Sequence, residues 1–183
     1  MVTIQPLSEA DWATIALEHP GWAQMSQQVL LKDHTEAWSG YDAGKLLGAV
    51  GFIFHYPQQA YCWGAFLTDR WPRLPRHLLQ AMRRKRDEIV QRRGLIRLEA
   101  RADCAHIAGA RFLEALGFRC EGMTQCSNQY GEAQFLYAYV TPAALQRQQT
   151  VLTQRYGALA GDIQLARVQH VAQSLERTCR WCL

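Results

Sequence analysis

Along the first 140 residues, the spacing of apolar residues changes repeatedly between the period of a strand and the period of a helix. Residues 2–7 alternate with a period of two, which predicts a strand. Ser8, followed three positions later by Asp11, predicts the capped start of a helix. The dipeptide His19-Pro20 predicts where that helix ends.

One helix and three strands follow. Residues 21–31 have the spacing of a second helix, and residues 34–56 predict two strands about a turn at Asp42-Ala43-Gly44. Residues 59–69 are apolar enough for a strand at the centre of a sheet.

A longer helix is predicted from about Leu74, with an apolar stripe on one side and a basic stripe on the other. The apolar stripe consists of Leu78, Leu79, Met82, Ile89 and Val90. The opposite face is predicted to carry Arg83, Arg84, Lys85 and Arg86.

The region up to Val140 completes the pattern. Residues 95–101 predict a strand, Asp103 is the predicted N-cap of the next helix, and Gly117 is its C-terminal signal. Two strands separated by a polar segment follow. The order β-α-α-β-β-β-α-β-α-β-β predicts an α+β fold with a mixed, mostly antiparallel sheet and helices on both faces.

The chain changes character at Pro142, after which nearly every residue favours a helix. We therefore predict a domain over residues 1–140 and a C-terminal helical extension over residues 141–183. Apolar residues of the extension repeat with a four-three spacing, typical of a helix that packs on another helix. They are Leu152, Tyr156, Leu159, Ile163 and Ala166. The pattern leaves open whether residues 142–177 fold back on their own domain, bind a protein partner or self-associate.

Composition places the chain among ordinary globular proteins, because 49% of its 183 residues are hydrophobic and 20% are charged. The first residues lack the basic and apolar regions of an export signal. The longest apolar stretch, LLGAVGFIF, is too short to span a bilayer. We therefore expect no membrane span and a cytoplasmic location.

Charge is distributed unevenly along the chain. Residues 1–69 contain seven acidic and two basic residues, whereas residues 70–101 contain eleven basic and three acidic residues. A concentration of positive charge of this kind favours an anionic ligand, although a solvated helix face has the same composition. Nucleic acid is an unlikely ligand, since the chain contains no known nucleic-acid recognition motif.

The stretch LIRLEARADCAHIAGARFLEALGF, followed by RCEG, resembles the second half of the GNAT acyltransferases. Three short motifs carry the resemblance: Leu98-Glu99-Ala100, Gly117-Phe118 and Glu121-Gly122. Together with the order of the elements, it covers about the first three quarters of the chain. More narrowly, the chain is similar to small phage-encoded GNAT-like proteins, which implies a cytoplasmic protein or a component of a phage particle.

This resemblance implies an acetyl-CoA site at the junction between the strand over residues 59–69 and the basic helix. GNAT loops resemble R/Q-x-x-G-x-G/A, but here the glycine positions fall at or near Trp71, Arg73 and Pro75. Pro72 and Pro75 have no N–H to donate. Arginine side chains are therefore expected to hold the phosphates in place of backbone amides. The predicted cofactor-binding residues are Phe66, Leu67, Arg70, Arg73, Arg76 and His77.

The resemblance also implies acid–base chemistry, and this chain departs from the family there. Leu113 occupies the position of the usual acidic tyrosine, and His106 that of a common asparagine. Our candidate catalytic residues are His106, Glu99 and Tyr137. Weaker candidates are His55, Asp69, Glu121, Tyr130 and Tyr139.

These departures leave two functions open. The first is transfer of an acetyl group from acetyl-CoA to an amine, at a full or an impaired rate. The second is a non-catalytic GNAT-fold protein, serving in interactions or in a virion, that assembles through its C-terminal helix. No metal site is predicted, because Cys179 and Cys182 supply two ligands whereas structural zinc takes four.

Overall fold

The computed structural model of the protein describes residues 2–19, 34–67, 76–125 and 131–157. The chain divides into two compact units, Met1–Leu95 and Ile96–Leu183. The elements of the first unit are β1 (Val2–Pro6), α1 (Glu9–Glu18), β2 (Thr35–Asp42), β3 (Lys45–Tyr56), β4 (Gln59–Phe66) and α2 (Arg76–Arg93). Those of the second are β5 (Arg97–Asp103), α3 (Ile107–Ala115), β6 (Arg119–Thr124), β7 (Gln134–Val140) and α4 (Pro142–Tyr156). The helix predicted over residues 21–31 lies outside the described residues.

The start and the end of α1 confirm the sequence pattern. The Ser8 hydroxyl accepts a hydrogen bond from the backbone N–H of Asp11 at 3.1 Å, and the Asp11 carboxylate accepts from the backbone N–H of Ser8 at 3.4 Å. This reciprocal arrangement is a capping box, which satisfies two donors at the start of the helix. The helix ends at Glu18, with His19 as its C-cap.

Strands of the first unit pair antiparallel in the order β1-β2-β3-β4. On one face of this sheet, Trp12 and Ile15 of α1 pack against apolar side chains of β3 and β4 and the residue that follows β4. The sheet side of this core consists of Ala49, Trp63, Ala65 and Leu67. Full burial of one large apolar side chain stabilises the fold by about 1.5–3 kcal/mol, so this cluster anchors α1 to the sheet.

The other face of the same sheet is covered by α2. Its buried residues, Leu78, Met82 and Ile89, belong to the predicted apolar stripe. The predicted basic face is only half correct. Arg83 and Arg84 are exposed, but Lys85 lies over the ring of Trp38 with 5.1 Å between its Nζ atom and the ring centroid. The side chain of Arg86 is also largely buried.

In the second unit the strand order is β5-β7-β6, with both pairs antiparallel. The prediction that Asp103 caps α3 is wrong. Asp103 is the last residue of β5, and its carboxylate accepts a hydrogen bond from the Gln134 side chain at 2.6 Å. The N-cap is His106 instead. Gly117 follows α3 with a φ of 86°, which confirms the predicted C-terminal signal because glycine adopts this conformation without steric cost.

The last described element is α4, which begins where Pro142 predicted a helix. The Thr141 hydroxyl accepts a hydrogen bond from the backbone N–H of Ala144 at 3.3 Å, and Pro142 occupies the first turn. Two of its large apolar side chains are well exposed, Leu145 at 44% and Val151 at 56%. Residues 158–183, which contain most of the predicted stripe, lie outside the described residues. No helix within the described ranges is long and apolar enough to cross a membrane.

Candidate functional site

The predicted cofactor residues Phe66 and Leu67 lie at the end of β4, where the strand is held closely against β3. The backbone N–H of Leu67 donates to the carbonyl of Leu47 at 3.0 Å, and Phe66 pairs with Gly48. Gly48 has a φ of 152°, and a Cβ at this position would lie 2.3 Å from the carbonyl oxygen of Ala65. Only glycine fits here, so this approach of the two backbones fixes the end of β4.

Next to this strand end the sheet and α2 enclose a small apolar pocket. Phe66, Val50 and Leu47 line its strand side, and Leu78 and Met82 of α2 line the other. Its volume of about 20 Å³ is close to that of a single water molecule. A space of this size, lined by the described residues, does not by itself hold a cofactor.

An imidazole meets the same strand end from α1. The Nε2 atom of His19 lies 2.7 Å from the carbonyl oxygen of Phe66, in a partly buried contact. The sequence analysis interpreted His19 only as a helix stop. Because 47 residues separate the two partners, no local pattern in the sequence could have indicated the contact.

Arg76 and His77 form the start of α2, where both are exposed. The first turn of this helix contains no acidic residue. Backbone N–H groups and the helix dipole favour an anion at such a helix start, and the two side chains add donors for phosphate. These residues therefore fit the phosphates of acetyl-CoA in charge and in donor chemistry. Arg70 and Arg73 lie outside the described residues.

Glu99 lies on one face of the sheet of the second unit, within an ion-paired cluster. Arg97 donates to the Glu99 carboxylate at 2.7 Å and to the Glu121 carboxylate at 3.0 Å. The bonds to Glu121 and then to Glu99 raise the pKa of Arg97, although burial opposes them. The guanidinium is therefore always charged, and it holds Glu99 as an ion-pair partner.

Tyr137 lies on the opposite face of that sheet. In the strand register Glu99 is opposite Ala138, whereas Tyr137 is opposite Ala100, and residues adjacent along a strand point to opposite faces. Tyr137 is only 2% exposed, and its hydroxyl donates to the Glu114 carboxylate at 3.3 Å. Glu99 and Tyr137 therefore cannot contact the same substrate atom from one side of the sheet.

His106 and Leu113 both lie on or next to α3. His106 is exposed at the N-cap position, and its side chain makes no capping hydrogen bond. A Cβ at Gly109 would lie 2.9 Å from its Nδ1 atom, so the ring folds back over the first turn of the helix. Leu113 is half-buried and carries no group that can transfer a proton.

The described residues bring together only some of the predicted site. Phe66 and Leu67 adjoin along the chain, as do Arg76 and His77. Glu99 and Tyr137 have separate partners, and His106 lies at the N-cap of α3. Two residues that the sequence analysis did not select, His19 and Glu114, contact predicted site residues. No group of three His, Cys, Asp or Glu residues suited to a metal ion occurs in the part of the chain that is described.

Solved structures identify the fold. The spermidine/spermine N-acetyltransferase SpeG from Vibrio cholerae, in mutant forms, is similar with a TM-score of 0.61 and 14% identity. The match covers 80% of this chain and 99% of that one. The same enzyme in complex with manganese ions gives a TM-score of 0.60 and 13% identity, over 80% and 96% of the two chains. No protein-family model and no curated protein sequence matches this chain.

SpeG enzymes have the GNAT fold, and this chain has it as well. The predicted resemblance to the GNAT fold and the predicted α+β fold class are therefore confirmed, whereas the narrower similarity to phage-encoded proteins stays a prediction. Identities of 13–14% establish the fold alone, so the activity requires a separate argument.

Proposed function

We propose that this protein transfers an acetyl group from acetyl-CoA to an amine, at a low rate. The observation that carries the proposal is the fold, which matches mutant forms of the N-acetyltransferase SpeG over 98–99% of their length. This likeness supports a cofactor site at the end of β4 and the start of α2. The start of α2, cationic and free of acidic side chains, supports the same proposal.

Six residues would hold the cofactor: Phe66, Leu67, Arg70, Arg73, Arg76 and His77. We assign the arginines and the histidine to the phosphates. Their charged side-chain donors would replace the backbone amides that Pro72 and Pro75 cannot supply. When bound, acetyl-CoA supplies a thioester whose acyl group is activated toward an amine. Phe66 and Leu67 would position the pantetheine arm of the cofactor along the end of β4.

The low rate follows from the proposed acid–base groups. We keep His106, Glu99 and Tyr137 as candidate acid–base groups, although two of them already bind other side chains. Glu99 is paired with Arg97, and Tyr137 is buried against Glu114. Leu113 cannot donate a proton to the leaving thiolate. A positioned acid or base contributes about 10²–10⁴-fold in rate, so the loss of the acid at position 113 would leave slow transfer.

Thiol release tests this proposal. The purified chain would be incubated with acetyl-CoA and a panel of amines that begins with spermidine and spermine, the amines in the name of the similar enzyme. We expect free coenzyme A to appear above the rate without protein, together with an acetylated amine detected by mass spectrometry. Absence of both products for every amine would contradict an acetyltransferase.

A second candidate function is assembly without catalysis. The observation that favours it is the exposure of Leu145 and Val151 on α4, which leaves apolar surface available to a partner helix. Under this alternative the region 142–177 would bind a protein partner or a second copy of the chain, in the cytoplasm or in a phage particle. A cytoplasmic location is part of the first proposal and is one of the two locations in the second.

A further inference from the structure

The contact between His19 and Phe66 determines which ring nitrogen of the histidine carries hydrogen. A carbonyl oxygen only accepts hydrogen bonds, so the Nε2 atom at 2.7 Å from the Phe66 oxygen must be the donor. In the neutral ring the lone pair then lies on Nδ1. Within the described ranges, no residue forms a hydrogen bond with Nδ1 of His19.

Backbone bonds fix the position of both partners. The N–H of His19 donates to the carbonyl of Ile15 at 3.1 Å, and the N–H of Leu67 donates to the carbonyl of Leu47 at 3.0 Å. Ile15 and Leu67 also belong to one core cluster. The imidazole is thus held by two ordered elements, with Nε2 bound and with no hydrogen-bond partner for Nδ1 among the described residues. In enzymes, a histidine that acts as a general base is often oriented in this way, by a hydrogen bond from its other ring nitrogen to a third group.

We propose that His19 is the proton acceptor for the amine substrate. This inference rests on the proposed function, which assigns Phe66 to the cofactor. Nδ1 of His19 would take one proton from the substrate ammonium, which leaves the nitrogen lone pair free to form the amide bond. A second proton from that nitrogen ends on the departing sulfur. Ammonium and thioester thereby become amide, thiol and the proton that His19 holds.

In the described elements that pack around this ring, charged and titratable groups are few. In α1 the neighbour is Glu18, with Asp11 and Glu9 at the far end of the helix. The titratable side chains of β3 are Lys45 at its start and His55 and Tyr56 at its end. In β4 they are Tyr61 and Cys62, and β4 contains no charged residue. The part of the pH–rate profile in which the rate rises with pH is the base limb. It would therefore be assigned to His19 only if it disappears when His19 is replaced.

Three variants separate proton transfer from support of the strand. His19→Gln retains an N–H that can reach the Phe66 carbonyl but has no nitrogen that accepts a proton. His19→Ala removes both, and His34→Gln is a control at an exposed histidine. With acetyl-CoA and spermidine as probes, we expect kcat to fall about 10²–10⁴-fold in His19→Gln and His19→Ala, and to be unchanged in His34→Gln. The base limb of the pH profile should be lost in both His19 variants.

Two measurements do not require turnover. Long-range ¹H–¹⁵N NMR of the wild-type chain should show the Nε2–H tautomer of His19, with ring signals that shift when acetyl-CoA is added. Calorimetry should give His19→Gln the same affinity for acetyl-CoA as the wild type, because the proposed role begins after binding.

The outcomes distinguish this inference from the proposed function. If the wild type binds and uses acetyl-CoA but His19→Gln keeps its rate, His19 only supports β4 and the inference is wrong. An Nδ1–H tautomer, or ring signals unaffected by acetyl-CoA, would also overturn it. If the wild type does not bind acetyl-CoA, or transfers no acetyl group, the proposed function fails and the inference fails with it.

Discussion

The indole ring of Trp63 lies directly against the α-carbon of Gly51. A Cβ at residue 51 would lie 2.5 Å from three atoms of that ring. The ring has no room to move away, because it is buried and meets the edge of Trp12 with 5.5 Å between centroids. This one glycine therefore determines how closely α1 packs on the sheet of the first unit.

Gly51→Ala should accordingly destabilise the protein. Overpacking a core costs about 1–3 kcal/mol, and urea unfolding followed by circular dichroism measures it. Gly122→Ala is the matched control, because a Cβ there would meet no atom within 4 Å. The control should change the free energy of unfolding by less than about 0.5 kcal/mol. Equal stability of the two variants would show that the Trp63 ring relaxes freely.

Asp11 should contribute stability that depends on pH. Burial alone would raise the pKa of its carboxyl, but hydrogen bonds from Ser39, Tyr41 and Ser8 outweigh it and lower the pKa below 3.8. A lowered pKa in the folded state gives stability that is complete above the ordinary pKa and is lost as the pH falls through the folded pKa. Asp11→Asn should cost about 1.5–3 kcal/mol at pH 7, since it removes charged hydrogen bonds to the fully buried Ser39.

The difference in unfolding free energy between wild type and Asp11→Asn should shrink as the pH falls below about 4, where the unfolded carboxyl becomes protonated, and should be lost below the lowered folded pKa. Glu9→Gln is the control in the same helical turn, where the side chain is exposed, and its effect should stay below about 1 kcal/mol. A deficit in Asp11→Asn that is constant between pH 2 and pH 7 would show that its cause is not the charge.

Sequence patterns predicted this fold best where the determining contacts are local. Ser8 and Asp11 are three residues apart, so the capping box could be predicted from the sequence. Asp103 resembles an N-cap equally well, but its side chain instead binds Gln134, which is 31 residues away. Lys85 was assigned to a solvated face because of its charge, whereas its partner Trp38 lies on another element.

The same limit applies to the candidate site. The resemblance led to the strand end at Phe66 and to the helix start at Arg76, because both belong to short motifs. Their surroundings depend on distant residues, such as His19 against Phe66 and Glu114 against Tyr137. Periodicity and spacing contain no information about pairs of this kind.

Acetyl-CoA affinity should depend on arginine side chains and on salt. The triple variant Arg70→Ala, Arg73→Ala and Arg76→Ala should abolish binding, because each lost charged hydrogen bond costs about 1.5–3 kcal/mol, or about ten- to hundredfold in Kd. Added salt should weaken wild-type binding, since exposed charges are screened over about 8–10 Å at physiological ionic strength. Arg84→Ala, an exposed position further along α2, is the control. Binding that survives both the triple change and high salt would exclude this mode of phosphate recognition.

Leu113→Tyr should raise kcat, because it places a phenol at the position where GNAT enzymes usually have one. Acid–base groups contribute about 10²–10⁴-fold, and a gain toward that range is expected in steady-state thiol release. Leu113→Phe fills the same space without the hydroxyl and should give no gain. If the kcat of neither variant exceeds that of the wild type, and the wild-type kcat is already high, another group serves as the acid.

The extension after Pro142 should mediate assembly. Charged substitutions at Leu152, Leu159 and Ile163 should reduce the mass measured by light scattering while circular dichroism shows a folded domain. Each buried apolar side chain contributes about 1.5–3 kcal/mol to such an interface. Gln149→Glu, at an exposed polar position of α4, should leave the mass unchanged. Two outcomes would support packing of the tail on its own domain instead. One is that a chain truncated after Thr141 cannot fold, and the other is that the full-length chain is a monomer.

Titration calorimetry with acetyl-CoA is the most direct test of the central proposal, because it requires no knowledge of the acceptor amine. We predict one saturable binding site per wild-type chain at low ionic strength, with binding lost in the triple arginine variant. A wild-type chain that is folded by circular dichroism, yet gives no binding heat at millimolar acetyl-CoA, would contradict the proposal. That result would leave assembly without catalysis as the function that this GNAT fold serves.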